Sequence, residues 1–504
     1  MCVNGIVKKS SIYLFSAFVS GAAVMAVEMS GTRILAPYFG NSLYVWTNLL
    51  GLVMMALAAG YFFGGRLSDK KPKPELYFTL FFAAGLWVLL LPFVATPIFK
   101  LLFYVFSNFA NTVPLGSFVA VSLLFVVPMF FLGMVLPFTV KLITAHVEHV
   151  GSVSGKVSMV STVGSLVGTF LPAFILIPIL GTTKTFILIA VILMLTAAMG
   201  LRKIFFGFFP VASVLIILMG WLSASSVPPV YAQSDIIFSK DSAYGFVFVT
   251  EDEEGIRRLH VNSPIGTQSL YDPESALPPE GYYYSYFGVL PAMMEDPKNV
   301  LILGHAGGSF TRIFNAYYPE LDITGVEIDP LMTEVSMKYM GLEDADVDIV
   351  HADARTYLLS TEESYDLILI DTYQSMNIPS HLATHEFFAL VASRLNSGGL
   401  VALNAASGES DFLYVLGNSM AKNFAFSGIL KIPDSYNSIL LGSATQDFTF
   451  LSDIPEALRD KAVYVSKNLL ALFYDSSREV FTDEKATRAE ILNDEMHLEI
   501  YKNF

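Results

Sequence analysis

Four β-prone runs in the second half of the chain each end at residues that can bind a ligand or do chemistry. Val300 to Leu303 leads into Gly304-His305-Ala306-Gly307-Gly308, and Ile323 to Val326 into Glu327-Ile328-Asp329. Val347 to Val350 leads to Asp353-Ala354, and Leu367 to Ile370 into Asp371. A glycine-rich turn at a helix start lets backbone approach a ligand closely and exposes amide hydrogens. Roughly twenty residues beyond such a turn, a carboxylate at the end of the second strand can accept both hydroxyls of a ribose. Asp353 is then placed to take an adenine amino group, and Asp371 lies deeper in the cleft. The pattern points to a nucleoside site, with a purely structural α/β role as the alternative. The turn lacks a full G-x-G-x-x-G, which disfavours NAD against an adenosyl sulfonium donor.

These residues need a scaffold, and the patterning supplies one. Helical stretches Ser309 to Tyr318 and Leu331 to Met340 alternate with the strands, as does Leu400 to Asn404 after Asp371. This predicts a doubly wound parallel sheet, whose ligands lie outside the carboxyl ends of the strands. Upstream, Phe246 to Thr250 and Arg257 to Val261 are broken by acidic and Gly/Pro turns and predict a small antiparallel sheet. Downstream, Asp411 to Phe424 reads as a helix, and Ser427 to Ile432 and Ser438 to Gly442 as closing strands. The acidic tail, Ile454 to Tyr474 and Glu484 to Tyr501, reads as a packed or solvated helix pair.

The first half of the chain belongs to a different solvent. Of the 504 residues 54% are hydrophobic and only 15% charged, well below the usual share of a soluble protein. Residues 1–225 hold 13 Lys/Arg against 4 Asp/Glu, whereas residues 226–504 hold 17 against 41. Apolar runs near the length of a bilayer core are Ile12 to Arg33, Val45 to Gly65, Leu76 to Thr96, Ser117 to Ile143, Val157 to Leu180, Thr185 to Gly200 and Ile204 to Ala224. That makes seven spans, with Pro97 to Val113 expected as an interfacial helix. With the N-terminus in the cytoplasm, inside segments carry ten Lys/Arg and outside loops three: Arg33, Lys100 and Lys184. An odd count then puts the acidic half on the extracytoplasmic side. Glu28 and Arg33, at the outer end of the first span, are membrane candidates for a substrate or proton path, against a paired and snorkelling role. Gly60, Gly64, Gly65, Gly164 and Gly168 suggest close helix packing. Val230-Tyr231-Ala232 offers a cleavage-like site that a multi-pass context disfavours. The single cysteine, Cys2, excludes an intrachain disulfide and a cysteine-rich metal site. No metal site is expected, His381 and His385 lacking a third ligand nearby, and no nucleic-acid partner. The lipid bilayer is the expected surroundings.

From Phe246 to Asn404 the chain resembles the polyamine aminopropyltransferases, or spermidine synthases, within the class I methyltransferase-like fold. The family's VLIIGGGDGG falls on Val300 through Ser309, its EID on Glu327 through Asp329, its DG or DA on Asp353-Ala354, and its YDVIIxD on Tyr365 through Asp371. Its tyrosine eight residues before a proline falls on Tyr283, and its glutamine after the small sheet on Gln268. Glu28 to Gly40, Gly60 to Asp69, Gly155 to Gly181 and Ile378-Pro379-Ser380-His381-Leu382 are similar to multi-pass members of the group.

The resemblance implies an N-terminal transmembrane helical bundle (1–225), a small β-sheet subdomain (226–298) and a Rossmann-like α/β domain (299–504). It implies a transferase that moves an aminopropyl group from decarboxylated S-adenosylmethionine to a small amine or polyamine, releasing methylthioadenosine. Gln268, Gly304, Gly307, Gly308, Glu327, Asp353 and Ala354 would bind the donor, Asp371 would take a proton from the amine, and Tyr283 would hold that amine. Two family carboxylates are missing: the turn's Asp is Gly307, and a second amine-binding Asp is Gln374. This weakens the case for putrescine as acceptor. His305 could compensate, against a bystander role, and Tyr282, Tyr283, Tyr284 and Tyr286 could form a cation wall or simply core and rim. Two alternatives stay open: an enzyme using intact S-adenosylmethionine, such as a methyltransferase, with room beside Gly307 for the donor's carboxylate; and a transport or sensing protein with a noncatalytic nucleoside-binding domain. A homodimer stays open as well.

Overall fold

A computed structural model describes residues 2–39, 43–106, 112–144, 149–201, 235–263, 266–374, 377–445, 447–486, 488–493 and 496. The chain divides into two compact units, 1–232 with 240–243, and 233–239 with 244–504.

The first unit is helical, with α1 (Cys2–Phe39), α2 (Leu43–Lys70), α3 (Pro74–Phe106), α4 (Thr112–Leu124), α5 (Val126–Ile143), α6 (Val150–Leu171), α7 (Ile177–Leu180) and α8 (Thr182–Gly200). Among the described residues six helical stretches are long and apolar enough to cross a membrane: Ser10–Phe39, Tyr44–Lys70, Pro74–Phe99, Val126–Ile143, Val150–Leu180 and Thr182–Gly200. The expected seventh, Ile204 to Ala224, lies outside the described residues, as does Val230-Tyr231-Ala232. Pro97 does not begin a separate interfacial helix. It sits inside α3, which runs on to Phe106, because an internal proline removes one backbone donor without ending a helix that packing holds. Phe99, fully buried, packs against Tyr38 and Phe39 with ring centroids 4.9 and 5.6 Å away. Pro128 likewise leaves the Leu124 carbonyl without its helical donor, and the Trp87 indole N–H donates to that oxygen at 2.8 Å.

Glycines mark where helix backbones meet. A Cβ on Gly164 or Gly168 of α6 would overlap the carbonyl oxygens of Phe18 and Ala22 on α1. One on Gly60 would lie 2.5 Å from Phe130 O, and one on Gly64 2.6 Å from Met134 Cα, both on α5. Glu28 is buried within α1. The Arg33 guanidinium donates to the carbonyl of Ala243.

The second unit holds two sheets. The smaller runs in chain order, β1 (Asp235–Asp241), β2 (Phe246–Glu251), β3 (Arg257–Val261) and β4 (Thr267–Tyr271). The larger has β5 (Asn299–Leu303), β6 (Asp322–Glu327), β7 (Asp348–His351), β8 (Tyr365–Ile370), β9 (Leu395–Ala406), β10 (Phe426–Lys431), β11 (Asn437–Ser443) and β12 (Leu470–Ala471), in the order β12-β10-β11-β9-β8-β5-β6-β7. Its helices are α9 (Tyr284–Phe287), α10 (Ser309–Tyr317), α11 (Pro330–Tyr339), α12 (Ala354–Ser360), α13 (His385–Ala392), α14 (Asp411–Ala421) and α15 (Arg459–Asn468).

Period-two alternation divides the central strands between two cores. Leu301, Leu303, Ile368, Ile370, Val401 and Leu403 face one core, and Val300, Ile302, Leu367, Leu369, Leu400 and Ala402 the other. Each buried aliphatic side chain contributes about 1.5–3 kcal/mol, so continuous apolar strands bury both faces. Chain order reverses between β5 and β8, and the crevice above that point is where such sheets bind ligands.

The sheet is mixed rather than wholly parallel. β5 to β9 pair in parallel, but β11 lies antiparallel to β9 and to β10. The link 432–436, with Asp434 at φ 50°, is too short for a crossover and returns the chain as a hairpin. The tail carries helix in both expected stretches, α15 in the first and residues 488–493 with 496 in the second, and adds the short strand β12, which pairs with the edge of β10. Phe481, Ala489, Leu492 and Met496 are buried in the core beyond it.

Candidate active site

Gly304 turns the chain at the end of β5 with φ 84°, and a Cβ there would overlap the Asp371 carbonyl. Only glycine lets the β5 and β8 ends approach so closely. Ala306 follows at φ 47°. Its amide and that of Asp329 donate to the two oxygens of Glu327, each at 2.9 Å. The Glu327 carboxylate is thereby fixed at the end of β6, with burial pushing its pKa up.

Asp353 caps α12, its Oδ1 accepting from the Thr356 amide at 2.9 Å. Its Oδ2 faces His381 Nε2 at 3.0 Å. Burial works to raise the Asp353 carboxyl, but the bonds from His381 and Thr356 outweigh it and hold the group below the usual range. Arg355, joined through both outer nitrogens to Asp483 of the tail, donates to the His381 carbonyl at 3.0 Å. The tail thus fixes the loop that carries His381.

Asp371 sits at the end of β8. Its Oδ2 accepts from the Tyr283 hydroxyl at 2.9 Å and its Oδ1 from Asn404 Nδ2 at 2.7 Å. Burial pushes this carboxyl up to about 7, against the pull of those two donors. Tyr283 is held among Tyr284, Phe287 and Phe310, with ring centroids 4.1 to 6.2 Å away. Burial and the neighbouring Asp371 keep its phenol neutral, well above its ordinary pKa. Tyr284 and Tyr286 are core, Tyr282 is exposed, and of the four Tyr283 alone bonds to Asp371.

One cavity of about 300 Å³ gathers Gln268, Gly304, Glu327, Asp353, Ala354 and Asp371 along its wall, with Gln374 and His381. Gly307 and Gly308 lie behind the turn. The Gly307 amide donates to Ser269 Oγ at 2.8 Å, and a Cβ there would lie 2.5 Å from the Ser269 Cβ. A side chain at position 307 would therefore meet Ser269. His305 faces inward too, its Nε2 2.8 Å from Thr311 Oγ1, and burial lowers its pKa to about 4. It does not replace the missing carboxylate.

Sequence reasoning passed over Ser269, Asn404 and the pairing of His381 with Asp353. Asn404 had a signal, since it ends a strand as Glu327 and Asp371 do; the other two depend on contacts distant in sequence.

Residues 280–425 match the spermine/spermidine synthase domain. A polyamine aminopropyltransferase of Vibrio vulnificus is 30% identical over 209 residues, covering 39% of this chain and 67% of its own. The chain belongs to the spermidine synthase family. A probable polyamine aminopropyl transferase of Bifidobacterium longum is 29% identical over 226 residues, 43% of this chain and 50% of that protein. The chain thus spans half the length of that relative. The crystal structure of spermidine synthase from Thermotoga maritima is 20% identical, with a TM-score of 0.37, over 52% of this chain and 88% of that one. Of the residues that the family pattern singles out, Tyr283, Glu327, Asp353 and Asp371 fall inside the matched domain and Gln268 just before it.

Proposed function

We propose that the second unit is an aminopropyltransferase, moving the aminopropyl group of decarboxylated S-adenosylmethionine to an amine and releasing methylthioadenosine. The observation that carries this is Asp371, a carboxyl brought to about 7 in the cavity that also holds Glu327 and Asp353. An ammonium has no lone pair, so the acceptor must lose a proton before it attacks. A carboxylate with a pKa near neutrality takes that proton with useful driving force. Glu327 holds the donor's ribose, Asp353 its adenine amino group, and Tyr283 the attacking amine, so proximity supplies much of the rate. The amine lone pair forms the C–N bond, the C–S pair returns to the sulfonium, and the released proton goes to Asp371.

Transfer of label from the decarboxylated donor to an amine, with stoichiometric methylthioadenosine, is the expected result, lost in Asp371→Asn. No turnover with any amine, alongside binding of methylthioadenosine, would replace this reading with the sensing one.

The proposal includes a multi-pass protein in the bilayer with its N-terminus in the cytoplasm and the second unit outside, supported by the Lys/Arg asymmetry and by the apolar run Ile204 to Ala224, which as a seventh span would make the count odd. Such a unit requires its donor to cross the membrane. Alkaline phosphatase fused after Phe504 should be active, and an inactive fusion with a fluorescent cytoplasmic reporter at the same point would reverse the orientation.

A further inference from the structure

Behind Asp371 three polar side chains form a directed chain that leads away from the cavity. Asn404 Nδ2 donates to Asp371 Oδ1 at 2.7 Å, Asn437 Nδ2 donates to Asn404 Oδ1 at 2.7 Å, and Ser435 Oγ donates to Asn437 Oδ1 at 2.8 Å. The direction follows from chemistry. An ionised carboxylate only accepts, so Asn404 must turn its NH2 toward Asp371 and its carbonyl away. That carbonyl, buried at the end of β9, needs a donor. Asn437, at the start of β11 and two residues from the Ile439 that pairs with Asn404, supplies it. Ser435 then fixes which end of the Asn437 amide faces inward. The Tyr373 hydroxyl braces the same strand, donating to the Asn404 backbone carbonyl at 3.0 Å and accepting from the Ala406 backbone amide at 2.6 Å.

We infer that Asn437 is a positioning residue for proton transfer: it acts through Asn404, holding that amide with its donor toward Asp371, and never touches substrate. The role rests on the aminopropyl-transfer reading only for its catalytic readout.

The titratable groups facing Asp371 are the phenols of Tyr283, Tyr284 and Tyr373, all raised by burial and neutral at working pH. Asn404 and Tyr283 oppose the burial that raises Asp371. Asn437→Asp offers no donor to Asn404 when ionised, so Asn404 turns over and presents its carbonyl to Asp371. Asn437→Leu removes the donor without adding charge.

The test titrates Asp371 itself in the full chain, by infrared or 13C carboxyl signals assigned through Asp371→Asn, and measures methylthioadenosine release against pH. Expected is an upward shift of the Asp371 midpoint of about one pH unit in Asn437→Asp, a smaller upward shift in Asn437→Leu, and roughly a fivefold loss of kcat near neutral pH with KM for the donor unchanged. If the aspartate variant fails to fold, the leucine variant carries the test, since Asn437 is only half-buried. An unmoved midpoint in a folded variant overturns the role of Asn437. Midpoints that shift while the unaltered chain releases no methylthioadenosine overturn the reaction instead and leave the amide chain standing.

Discussion

Gly307 and Ser269 occupy one volume. The serine side chain, which accepts the Gly307 amide hydrogen at 2.8 Å, fills the space that any side chain at position 307 would need. An aspartate at this turn, as the family pattern carries, would therefore meet a residue on β4.

Restoring the aspartate alone should fail. Gly307→Asp should lower stability by about 2–3 kcal/mol, as overpacking a closed site does. Adding Ser269→Gly should recover more than 1 kcal/mol of that loss, read as the coupling in a chemical-unfolding double-mutant cycle. Additive effects would show that the turn relaxes independently of β4.

Asp371 links stability to pH in a direction opposite to a salt-bridged aspartate. Unfolded, it ionises near its ordinary value of about 3.9; folded, it holds its proton up to about 7. Between those values the unfolded state binds fewer protons, so the fold loses stability as pH rises through that window and then levels off. Asp371→Asn should flatten this loss and raise the melting temperature above neutral pH. The same variant should cut transfer by about 10²–10⁴-fold, the range of a lost general base. Thermal unfolding from pH 4 to 8, set beside activity, checks both.

His381 is expected to matter for the nucleoside rather than the amine, because it fixes the outer oxygen of Asp353. His381→Ala should weaken methylthioadenosine binding by roughly threefold to tenfold, about one hydrogen bond's worth, with little change in thermal stability. Calorimetry that finds unchanged affinity would leave Asp353 as a helix cap alone.

In the first unit, Gly168→Leu drives a side chain into the Ala22 carbonyl and should prevent α1 and α6 from packing. Gly65→Ala is the control, since its nearest atom lies 4.0 Å away. A detergent-stability assay should show a large loss for the first and nearly none for the second.

Much of the scaffold was legible from local pattern. Apolar runs of bilayer length mark six of the helical stretches, and continuous apolar strands alternating with helices mark β5 to β9. Glycines 304 and 308 announced a turn that both take with positive φ. The tail's two helical stretches were legible, but β12 was not, because a two-residue strand is defined by the sheet edge it completes and not by its own pattern. The break into antiparallel pairing after β9 escaped for a related reason: strand direction depends on the length of a connection whose ends the sequence marks only loosely.

The sequence by itself determined which residue types stand at the strand ends, because those positions are set by backbone periodicity. Only the tertiary structure decided their state. Asp371 rises to about 7 because folding removes it from water between Tyr283 and Asn404, residues 88 and 33 positions away. The space at Gly307 closes because Ser269, 38 positions earlier, is brought against it. Desolvation and steric exclusion are properties of neighbours in space, and no spacing along the chain encodes them.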